Sequence, residues 1–256
     1  MKILVTGGNG FIGSNLCQKL ALQHDVMSLS RTSSSSMQIN HIAYDLFSND
    51  EYSLSKILQN IYGIVHLAWT SIPSTEDAVF DMKTNVEGTI RLMHCAEKNN
   101  VKFFVFMSSG GAVYGEQAAN KPISEDSSLN PICAYGAGKA AVEKYMKSFK
   151  LTEMKTLAIR ASNVYGKRHS FSKFQGIIPI FIDSIIAGRQ PIIYGDGLNV
   201  RDYIYIDDMC NAIAKIIDEY QRTGHFEHDE VNIGSGIGTS INEVYQEIKM
   251  VTKTDL

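Results

Sequence analysis

The sequence predicts an α/β protein whose larger part is a doubly wound parallel sheet, followed by a smaller region. Short β-branched runs alternate with longer amphipathic stretches along the first half of the chain, and this alternation is typical of βαβ units. The 256 residues correspond to roughly one and a half domains of ordinary size. Hydrophobic residues make up 44% of the chain, which is enough to bury a core and excludes a disordered protein.

The individual elements follow from apolar residues at strand or helix spacing. Strands are predicted at residues 2–6, 26–29, 42–44, 64–68, 103–107 and 157–160. Helices are predicted at residues 12–22 and at residues 79–98, the second of which ends at Asn99-Asn100. Ligands of such sheets bind beyond the carboxyl ends of the strands, so the loops after the strands are where we expect a site.

Charge and cysteine usage restrict the kind of partner. Lys and Arg number 24 against 27 Asp and Glu, for a net charge of −3, so no basic excess exists to neutralise nucleic-acid phosphates. The apolar run before Gly7 is too short for a signal peptide, and no run approaches the ~18 residues of a membrane span. The four cysteines, at positions 17, 95, 133 and 210, have no metal-ligand spacing. We expect a cytoplasmic protein with reduced thiols and without a metal, nucleic-acid or membrane partner.

A glycine-rich turn follows the first predicted strand and leads into the first predicted helix. Gly7, Gly10 and Gly13 have the Gly-x-x-Gly-x-x-Gly spacing, which permits a tight turn, close approach of the backbone to a pyrophosphate, and close helix–strand packing. Phe11 and Ile12 then lie at the helix N-terminus, where unpaired N–H groups attract phosphate. The turn predicts a dinucleotide site, with a purely structural βα turn as the alternative.

The end of the second strand indicates which dinucleotide binds. A carboxylate there would hydrogen-bond the ribose 2′-hydroxyl of NAD, but the chain has Ser30-Arg31 instead. Arg31 suits a 2′-phosphate, with the hydroxyls of residues 32–36 nearby, and this favours NADP over NAD. An exposed arginine without a ligand is the alternative. After the third strand come Asp45 and Leu46, where the carboxylate could meet the adenine amino group.

A tyrosine and a lysine one helical turn apart form the candidate catalytic pair. Tyr135 and Lys139 share one helical face, and we expect the ammonium to lower the pKa of Tyr135 towards the working pH. Such a tyrosine can take a proton from a sugar hydroxyl while hydride passes to nicotinamide. Ser108 and Ser109 end the strand upstream, where a serine could hydrogen-bond the same substrate oxygen.

With these motifs the chain resembles the extended short-chain dehydrogenases/reductases that act on nucleotide sugars, of the NAD-dependent epimerase/dehydratase type. The nearest resemblance is to the UDP-glucose 4-epimerase-like branch. It continues through residues 85–89, 160–166, 194–197, 201–204 and 232–234 and so covers nearly the whole chain. It implies a Rossmann-like cofactor domain at residues 1–165 and a substrate-binding region at residues 166–256, interleaved with the first. Such chains usually continue further, so this region is expected to be C-terminally short.

The roles of single residues are implied by this resemblance. Tyr135 is the expected acid/base, and Lys139 is expected to bind the nicotinamide ribose. The catalytic serine falls on Ser109 when counted from the strand, with Ser108 as the fallback, and on Gly110 when counted back from residues 113–115. The remaining expected cofactor contacts are Leu67, Ala68 and Asn85.

Two residues of the second region match positions that contact the substrate diphosphate. These are Asn163 and Arg201, and a guanidinium suits phosphate oxygens on chemical grounds as well. For Arg201 the alternative is a surface salt bridge to Asp202 or Asp207.

The resemblance implies a nucleoside-diphosphate sugar as substrate and leaves two activities open. A 4-epimerase would pass hydride from sugar C4 to bound NAD(P) and return it to the other face. An NADPH-dependent reductase of a 4-keto-6-deoxy nucleotide sugar would use the same residues, and Ser30-Arg31 favours it. A dehydratase is disfavoured because residues 110–112 lack an acidic group. A non-catalytic dinucleotide-binding regulator is the third hypothesis, and a homodimer through two helices is expected by analogy.

Three further features have structural interpretations. The glycine-rich residues 234–238 precede a helix that starts with a capping box, Ser240 to Glu243, which favours a structural turn. His66 lies in an apolar strand and is expected in the core. Trp69, the only tryptophan, is expected either to line a sugar pocket or to pack in the core.

Overall fold

The strands form one large and one small sheet. A computed structural model of the chain describes residues 1–32, 39–48, 50–75, 77–116, 121–167 and 176–254. The strands in it are β1 (Lys2–Thr6), β2 (Asp25–Ser30), β3 (Asn40–Ala43), β4 (Gly63–His66), β5 (Phe103–Ser109), β6 (Lys155–Ala161), β7 (Asn163–Tyr165), β8 (Val200–Tyr205), β9 (Glu230–Ile233) and β10 (Gly238–Ser240). The large sheet is parallel, with the order β3-β2-β1-β4-β5-β6-β9, and the small sheet has the order β10-β8-β7.

Helices cover both faces of the large sheet. They are α1 (Phe11–Leu20), α2 (Glu51–Leu58), α3 (Ala78–Asp81), α4 (Glu87–Lys98), α5 (Gly110–Val113), α6 (Ala134–Met146), α7 (Ile177–Ile186), α8 (Ile206–Thr223) and α9 (Ile241–Thr252). None of the helices within the described ranges is long and apolar enough to cross a membrane.

The predicted doubly wound parallel sheet is confirmed. All six predicted strands belong to the large sheet, and their ends differ from the prediction by no more than two residues. The strand order reverses at β1, which has β2 on one side and β4 on the other. Ligands of open parallel sheets bind at such a switch point, and the glycine-rich turn begins there.

Alternation of side chains along β1 divides the core into two layers. Ile3 and Val5 pack in a cluster with the inner faces of α1 and α8. Leu4, between them, points to the opposite layer with α2, α4 and α6. All three side chains are fully buried, and each contributes about 1.5–3 kcal/mol by leaving water. The helices that carry the site are therefore anchored on a rigid sheet.

The helix predicted at residues 79–98 is interrupted. Helix α3 begins after Asp77, whose side chain accepts a hydrogen bond from the N–H of Phe80. A π-helical turn then spans Met82–Val86 before α4 continues. Such a turn adds a residue to the helical repeat and is frequent at functional sites. Here it lies between Asp81 and α4, beside the end of β4.

The chain after residue 165 contributes to both sheets. Strand β9 pairs with β6 in the large sheet, and α8 packs on α1. Strands β8 and β10 pair with each other in the small sheet, against which α7 and α9 form their own apolar cluster. The domain boundary at residue 165 and the interleaving of the two regions stay predictions, and the position of β9 is what the interleaving would require.

Candidate active site

The glycine-rich turn leaves the N-terminus of α1 open to an anion. Gly7 has φ +70, and a Cβ atom there would lie 2.9 Å from the backbone nitrogen of Ala68. A Cβ atom on Gly13 would clash with the carbonyl oxygen of Gly7. The N-cap residue, Gly10, has no side chain to cap the helix, and the first turn carries no acidic residue. This arrangement fits the pyrophosphate of a dinucleotide, because backbone N–H groups and the helix dipole both favour negative charge.

The segment after β2 is tied to the glycine-rich turn. The side-chain amide of Asn9 donates to the carbonyl oxygen of Thr32 over 2.7 Å, and the hydroxyl of Ser30 donates to the same oxygen. Arg31 is exposed, with its guanidinium carbon 6.0 Å from the ring centroid of Phe47. The guanidinium therefore stands beside the turn, within reach of solvent. Of the hydroxyls expected nearby, those at residues 33–36 lie outside the described residues.

The other expected cofactor contacts differ in how open they are. Asp45 is exposed, and its carboxylate accepts the N–H of Phe47, whereas the side chain of Leu46 is buried in the core. Leu67 and Ala68 are half-buried, and their N–H groups point to the hydroxyl of Thr6. These two residues line the turn at Gly7, as their position at the end of a neighbouring strand predicts.

Asn85 is buried and its side chain is engaged within the protein. It is 1% exposed, its Oδ1 accepts from the N–H of Thr70 over 2.8 Å, and its Nδ2 donates to Asp81 over 2.8 Å. Ser71 donates to the same oxygen of Asp81 and accepts from the indole N–H of Trp69. Asn85 therefore clamps the loop after β4, and a contribution of its side chain to cofactor binding is indirect in this structure.

The structure distinguishes the two candidate serines. Ser109 lies close enough to Tyr135 for its hydroxyl to lower the pKa of the phenol, whereas the hydroxyl of Ser108 donates to the buried carboxylate of Glu143. Successive side chains of a strand point to opposite faces, so only one of the pair can face the tyrosine. Ser109 is the residue brought to Tyr135, which supports the expectation based on counting from the strand.

The expected effect of Lys139 on Tyr135 is wrong for the protein without ligands. Burial raises the pKa of Tyr135 to about 12, and among the neighbouring groups that act on it only the hydroxyl of Ser109 lowers the pKa. Lys139 is itself 2% exposed, and burial holds its pKa well below the usual 10.5. Its ammonium donates to the carbonyl oxygen of Met107 over 2.7 Å and lies 3.8 Å from the ring centroid of Trp69. Removal of both groups from water outweighs the attraction that their spacing predicts.

Trp69 packs directly on the catalytic candidates. Its ring meets that of Tyr135 edge-on at 6.2 Å between centroids and contacts Phe106 at 5.8 Å. Of the two alternatives expected for Trp69, core packing therefore describes one side of the ring. The ring remains partly exposed, so the other side can face a ligand.

A buried polar network behind Ser108 was not anticipated. Glu143 and Arg160 are 4% and 3% exposed, and their ion pair has contacts of 2.8 and 3.1 Å. Arg160 also donates to the hydroxyl of Tyr114 over 2.9 Å, which in turn donates to Asn232 over 2.7 Å. Glu143 follows Lys139 by four residues on α6. This spacing is the one sequence feature that could have placed Glu143 near the site. The network joins β5, β6, β9 and α6 beneath the site.

Asn163 and Arg201 are placed on neighbouring strands of the small sheet. Both are exposed, and the side-chain amide of Asn163 donates to the backbone of Asp202 over 3.1 Å. Neither alternative salt bridge of Arg201 is present in the described part of the chain. The carboxylate of Asp202 accepts from the N–H groups of Ser235 and Gly236, and Asp207 pairs with Lys167 instead.

The structural interpretations of two other features are confirmed. The loop at 234–238 uses its N–H groups on the carboxylate of Asp202, and Ser240 with Glu243 forms a capping box at the start of α9. His66 is 2% exposed and hydrogen-bonded to the hydroxyls of Thr6 and Thr89, and burial lowers its pKa to about 3.

The parallel sheet has a glycine-rich turn at its switch point, a serine at the carboxyl end of β5, and a tyrosine and a lysine on α6 beside it. Together these features define a nucleotide-dependent enzyme of the short-chain dehydrogenase/reductase class. The chain belongs to the NAD dependent epimerase/dehydratase family, whose sequence profile matches residues 3–234. The resemblance inferred from the sequence is thereby confirmed, and with it dependence on NAD or NADP.

Individual relatives agree with this assignment. The chain is 36% identical over 255 residues to a putative UDP-glucose 4-epimerase of Methanocaldococcus jannaschii, covering 96% of this chain and 81% of the relative. The UDP-glucose 4-epimerase of Thermotoga maritima, solved with UDP-glucose, superimposes with a TM-score of 0.89 at 32% identity, over 100% of this chain and 84% of that one. The UDP-glucose 4-epimerase of Thermus thermophilus, solved with NAD, gives 0.86 at 28% identity, over 99% and 84%. A reductase and dehydratases of dTDP-linked sugars match at 32% identity or below.

Proposed function

We propose that the protein is an NAD(P)-dependent nucleotide-sugar 4-epimerase. The observation that carries the proposal is the placement of Ser109 beside Tyr135, with Lys139 one turn along α6, at the carboxyl ends of the strands, where the glycine-rich turn also lies. The epimerase relatives and the epimerase structures support the same reaction. The substrate is a nucleoside-diphosphate sugar, and the UDP-glucose bound in the Thermotoga maritima enzyme makes a UDP-hexose the first one to test.

Tyr135 performs the proton transfer in this proposal. Its phenol oxygen, in the deprotonated form, takes the proton of the sugar C4 hydroxyl. Ser109 is placed to hydrogen-bond the same sugar oxygen. A nicotinamide held at this site would supply the hydride acceptor and, in its reduced form, the hydride donor. The C4 carbon becomes a ketone in the first half, and Tyr135 returns the proton to the oxygen after the sugar has presented its other face. Proton and hydride are both restored, so the reaction has no net oxidation.

The deprotonated form of Tyr135 needs positive charge nearby, because burial alone raises its pKa to about 12. Lys139 supplies part of this charge when it is protonated, with its ammonium 5.6 Å from the ring centroid of Tyr135. The oxidised nicotinamide carries positive charge as well. Trp69 covers this pair on one side and excludes water, which strengthens the electrostatic interactions of the site.

The substrate diphosphate is assigned to Asn163 and Arg201. Both are exposed on adjacent strands of the small sheet, and the guanidinium is not held by a carboxylate in the described residues. An arginine fork matches phosphate oxygens in charge and geometry. For the dinucleotide, Arg31 supports NADP, and Gly7, Gly10, Phe11, Ile12 and Gly13 form the pyrophosphate turn.

A reductase is the second candidate because of Arg31. No carboxylate is seen in the described residues at the end of β2, where NAD-specific proteins hold the ribose, and the guanidinium faces solvent beside the turn. A reductase uses the same Ser109, Tyr135 and Lys139, but moves hydride once and releases the oxidised dinucleotide.

The experiment that tests the proposal begins with the purified protein denatured and any released nucleotide identified by mass spectrometry. Tightly bound NAD+ or NADH, together with conversion of a UDP-hexose to its C4 epimer, supports the epimerase. An empty site that takes NADPH and reduces a 4-keto sugar supports the reductase. Tyr135→Phe should keep the fold and dinucleotide binding and lose turnover by at least about 100-fold. Tyr52→Phe, on α2 and 71% exposed, is the control, and retention of activity in Tyr135→Phe contradicts the mechanism.

We also propose that two copies associate through α4 and α6 and that the enzyme acts in the cytoplasm. A groove of about 510 Å³ between these helices is lined by Met82, Ile90 and Tyr145 among others. Met82 and Tyr145 are each more than half exposed, which suits a second copy of the same chain. Sedimentation of the parent and of Met82→Glu tests the dimer.

The cytoplasmic location is supported by the four cysteines, which are free thiols, as reducing conditions require.

A further inference from the structure

Asp81 is a buried carboxylate beside the catalytic candidates that the proposed mechanism does not use. It is 2% exposed and ends α3, directly before the π-helical turn. Its Oδ1 accepts hydrogen bonds from the hydroxyl of Ser71 and from the side-chain amide of Asn85. A carboxylate withdrawn from water is costly unless its charge interacts favourably with a neighbour. The surroundings of its second oxygen, Oδ2, therefore show which neighbour could provide this interaction.

That second oxygen lies against α6. A Cβ atom on Gly138 would be 2.6 Å from Oδ2 of Asp81 and 3.2 Å from Cζ2 of Trp69. The carboxylate and the edge of the indole therefore meet at one point on α6, and they can do so because residue 138 has no side chain. The next residue is Lys139, whose ammonium lies over the same indole ring.

The ammonium of Lys139 is in an enclosure that disfavours charge. The ring centroids of Trp69 and Phe106 are 3.8 and 4.7 Å away, and the carbonyl oxygen of Met107 is 2.7 Å away. Aromatic faces and one carbonyl recover only part of the hydration that an ammonium loses on burial. A fixed negative charge nearby is needed for the charged form to persist.

Among the described residues, the titratable groups that act on Lys139 are Asp81, Glu143, His66 and Tyr135. Glu143 is already paired with Arg160, so its charge is largely cancelled. His66 is neutral because burial lowers its pKa to about 3, and Tyr135 is a neutral phenol with a pKa of about 12. Within the described residues Asp81 forms no direct ion pair, with Lys139 or with any other cation, and its charge acts on Lys139 over a longer distance.

We propose that Asp81 is a positioning residue of the active site, which acts as the counter-charge of Lys139 across Gly138 and links that charge to the Trp69 loop. The inference rests on the proposed function only in assuming that Lys139 takes part in catalysis. The electrostatic coupling itself holds with or without substrate. Loss of the carboxylate charge would make Lys139 release its proton at lower pH. The same loss would lower the pKa of Tyr135, since Asp81 raises it.

Trp69 provides a direct readout, because it is the only tryptophan and has the ammonium 3.8 Å from its ring centroid. Indole emission of the ligand-free protein is titrated between about pH 5 and 11, the range around the ordinary lysine value. The transition that disappears in Lys139→Met belongs to Lys139. In Asp81→Asn, which keeps the size of the side chain, we expect its midpoint to fall by about one pH unit or more.

Two variants separate charge from structure. Ser71→Ala removes a hydrogen bond to Asp81 and the partner of the Trp69 indole but keeps the charge, so its midpoint should stay within a few tenths of a unit of the parent. Gly138→Ala keeps the charge and displaces the carboxylate, so its midpoint should move in the direction of Asp81→Asn. This variant decides the question if Asp81→Asn does not fold.

An unchanged midpoint in folded Asp81→Asn, or in Gly138→Ala when the first does not fold, overturns the proposal. So does the absence of any transition that depends on Lys139. Neither measurement involves turnover or a dinucleotide, so an inactive protein would count against the proposed function alone. In an active enzyme, both limbs of the pH profile of kcat should move to lower pH in Asp81→Asn, which a purely structural defect would not produce.

Discussion

The side chain of Ser109 lies beside that of Tyr135, close enough to lower the pKa of the phenol, although one residue ends β5 and the other lies in the first turn of α6. The neighbouring Ser108 points to the opposite side of the strand and donates to Glu143. The two adjacent serines therefore have separate roles: Ser109 lies at the reacting group, and Ser108 belongs to the buried network of Glu143 and Arg160. This difference can be measured.

Alanine substitutions of the two serines should have opposite signatures. Ser109→Ala should lower kcat by at least about tenfold, since it removes a hydrogen bond at the reacting oxygen, and should leave the free energy of unfolding within about 0.5 kcal/mol. Ser108→Ala should lower the free energy of unfolding by about 1–3 kcal/mol, because a buried carboxylate loses a donor. Steady-state kinetics and urea denaturation of both variants provide the comparison. Equal effects of the two on kcat would contradict the assignment.

The ionisation of Tyr135 should be displaced to high pH in the protein without ligands. Burial raises its pKa from 10 to about 12, so the folded state holds the phenol proton more tightly than the unfolded state does. The stabilisation is complete below pH 10 and is lost as the pH rises through about 12. The difference in phenolate absorbance between the parent and Tyr135→Phe should show this midpoint, and addition of NAD+ should lower it. A midpoint near 10 without ligands would contradict the burial argument.

The ion pair between Glu143 and Arg160 should be sensitive to removal of either partner. Glu143→Gln should lower the free energy of unfolding by about 3 kcal/mol, because buried Arg160 then keeps only the carboxylate of Glu230, 3.6 Å away, as a counter-charge. The exposed pair Glu87 and Arg91 is the control, and Glu87→Gln should cost less than about 1 kcal/mol. Urea denaturation measures both. Similar costs for the two substitutions would mean that the buried network adds little.

The preference between the two dinucleotides should depend on Arg31. Arg31→Ala should weaken NADPH binding by about 10–100-fold, the loss expected for a charge-assisted contact to phosphate, and should change NADH binding little. Arg222→Ala, an exposed arginine on α8, should change neither. Equilibrium titrations of the parent and both variants with each dinucleotide supply the six dissociation constants. Equal losses for NADPH and NADH in Arg31→Ala would remove the case for a 2′-phosphate contact.

The parts of the site that were predictable are those encoded by local spacing. Gly7, Gly10 and Gly13 lie in one turn, and Tyr135 and Lys139 in one turn of a helix, so the sequence alone places each set. Contacts between distant segments carry no such signal, and Asp81 against Gly138 is an example. The direction of the pKa of Tyr135 was missed for a related reason. Spacing along a helix shows which charges are near, but the loss of water depends on what the rest of the chain packs around them.

The same limit applies to the second region. The loop at 234–238 was visible in the sequence, and the capping box at Ser240 favoured a structural turn, but no strand was predicted at Asp202. That the carboxylate of Asp202 occupies the N–H groups of Ser235 and Gly236 depends on a pairing between β8 and β10 that no periodicity specifies. The exposed state of Arg201 follows from that pairing.

The position of β9 has a consequence for how the chain folds. Strand β6 pairs with β5 on one side but receives its other neighbour only from residues 230–233, after the small-sheet strands β7 and β8 have been made. During synthesis the edge of β6 therefore stays unpaired while a long intervening segment emerges, and contacts of such large sequence separation form slowly. A fragment that stops at residue 165 would present a strand edge open to pairing with other chains. We therefore expect the residues before and after position 165 to unfold in a single cooperative transition.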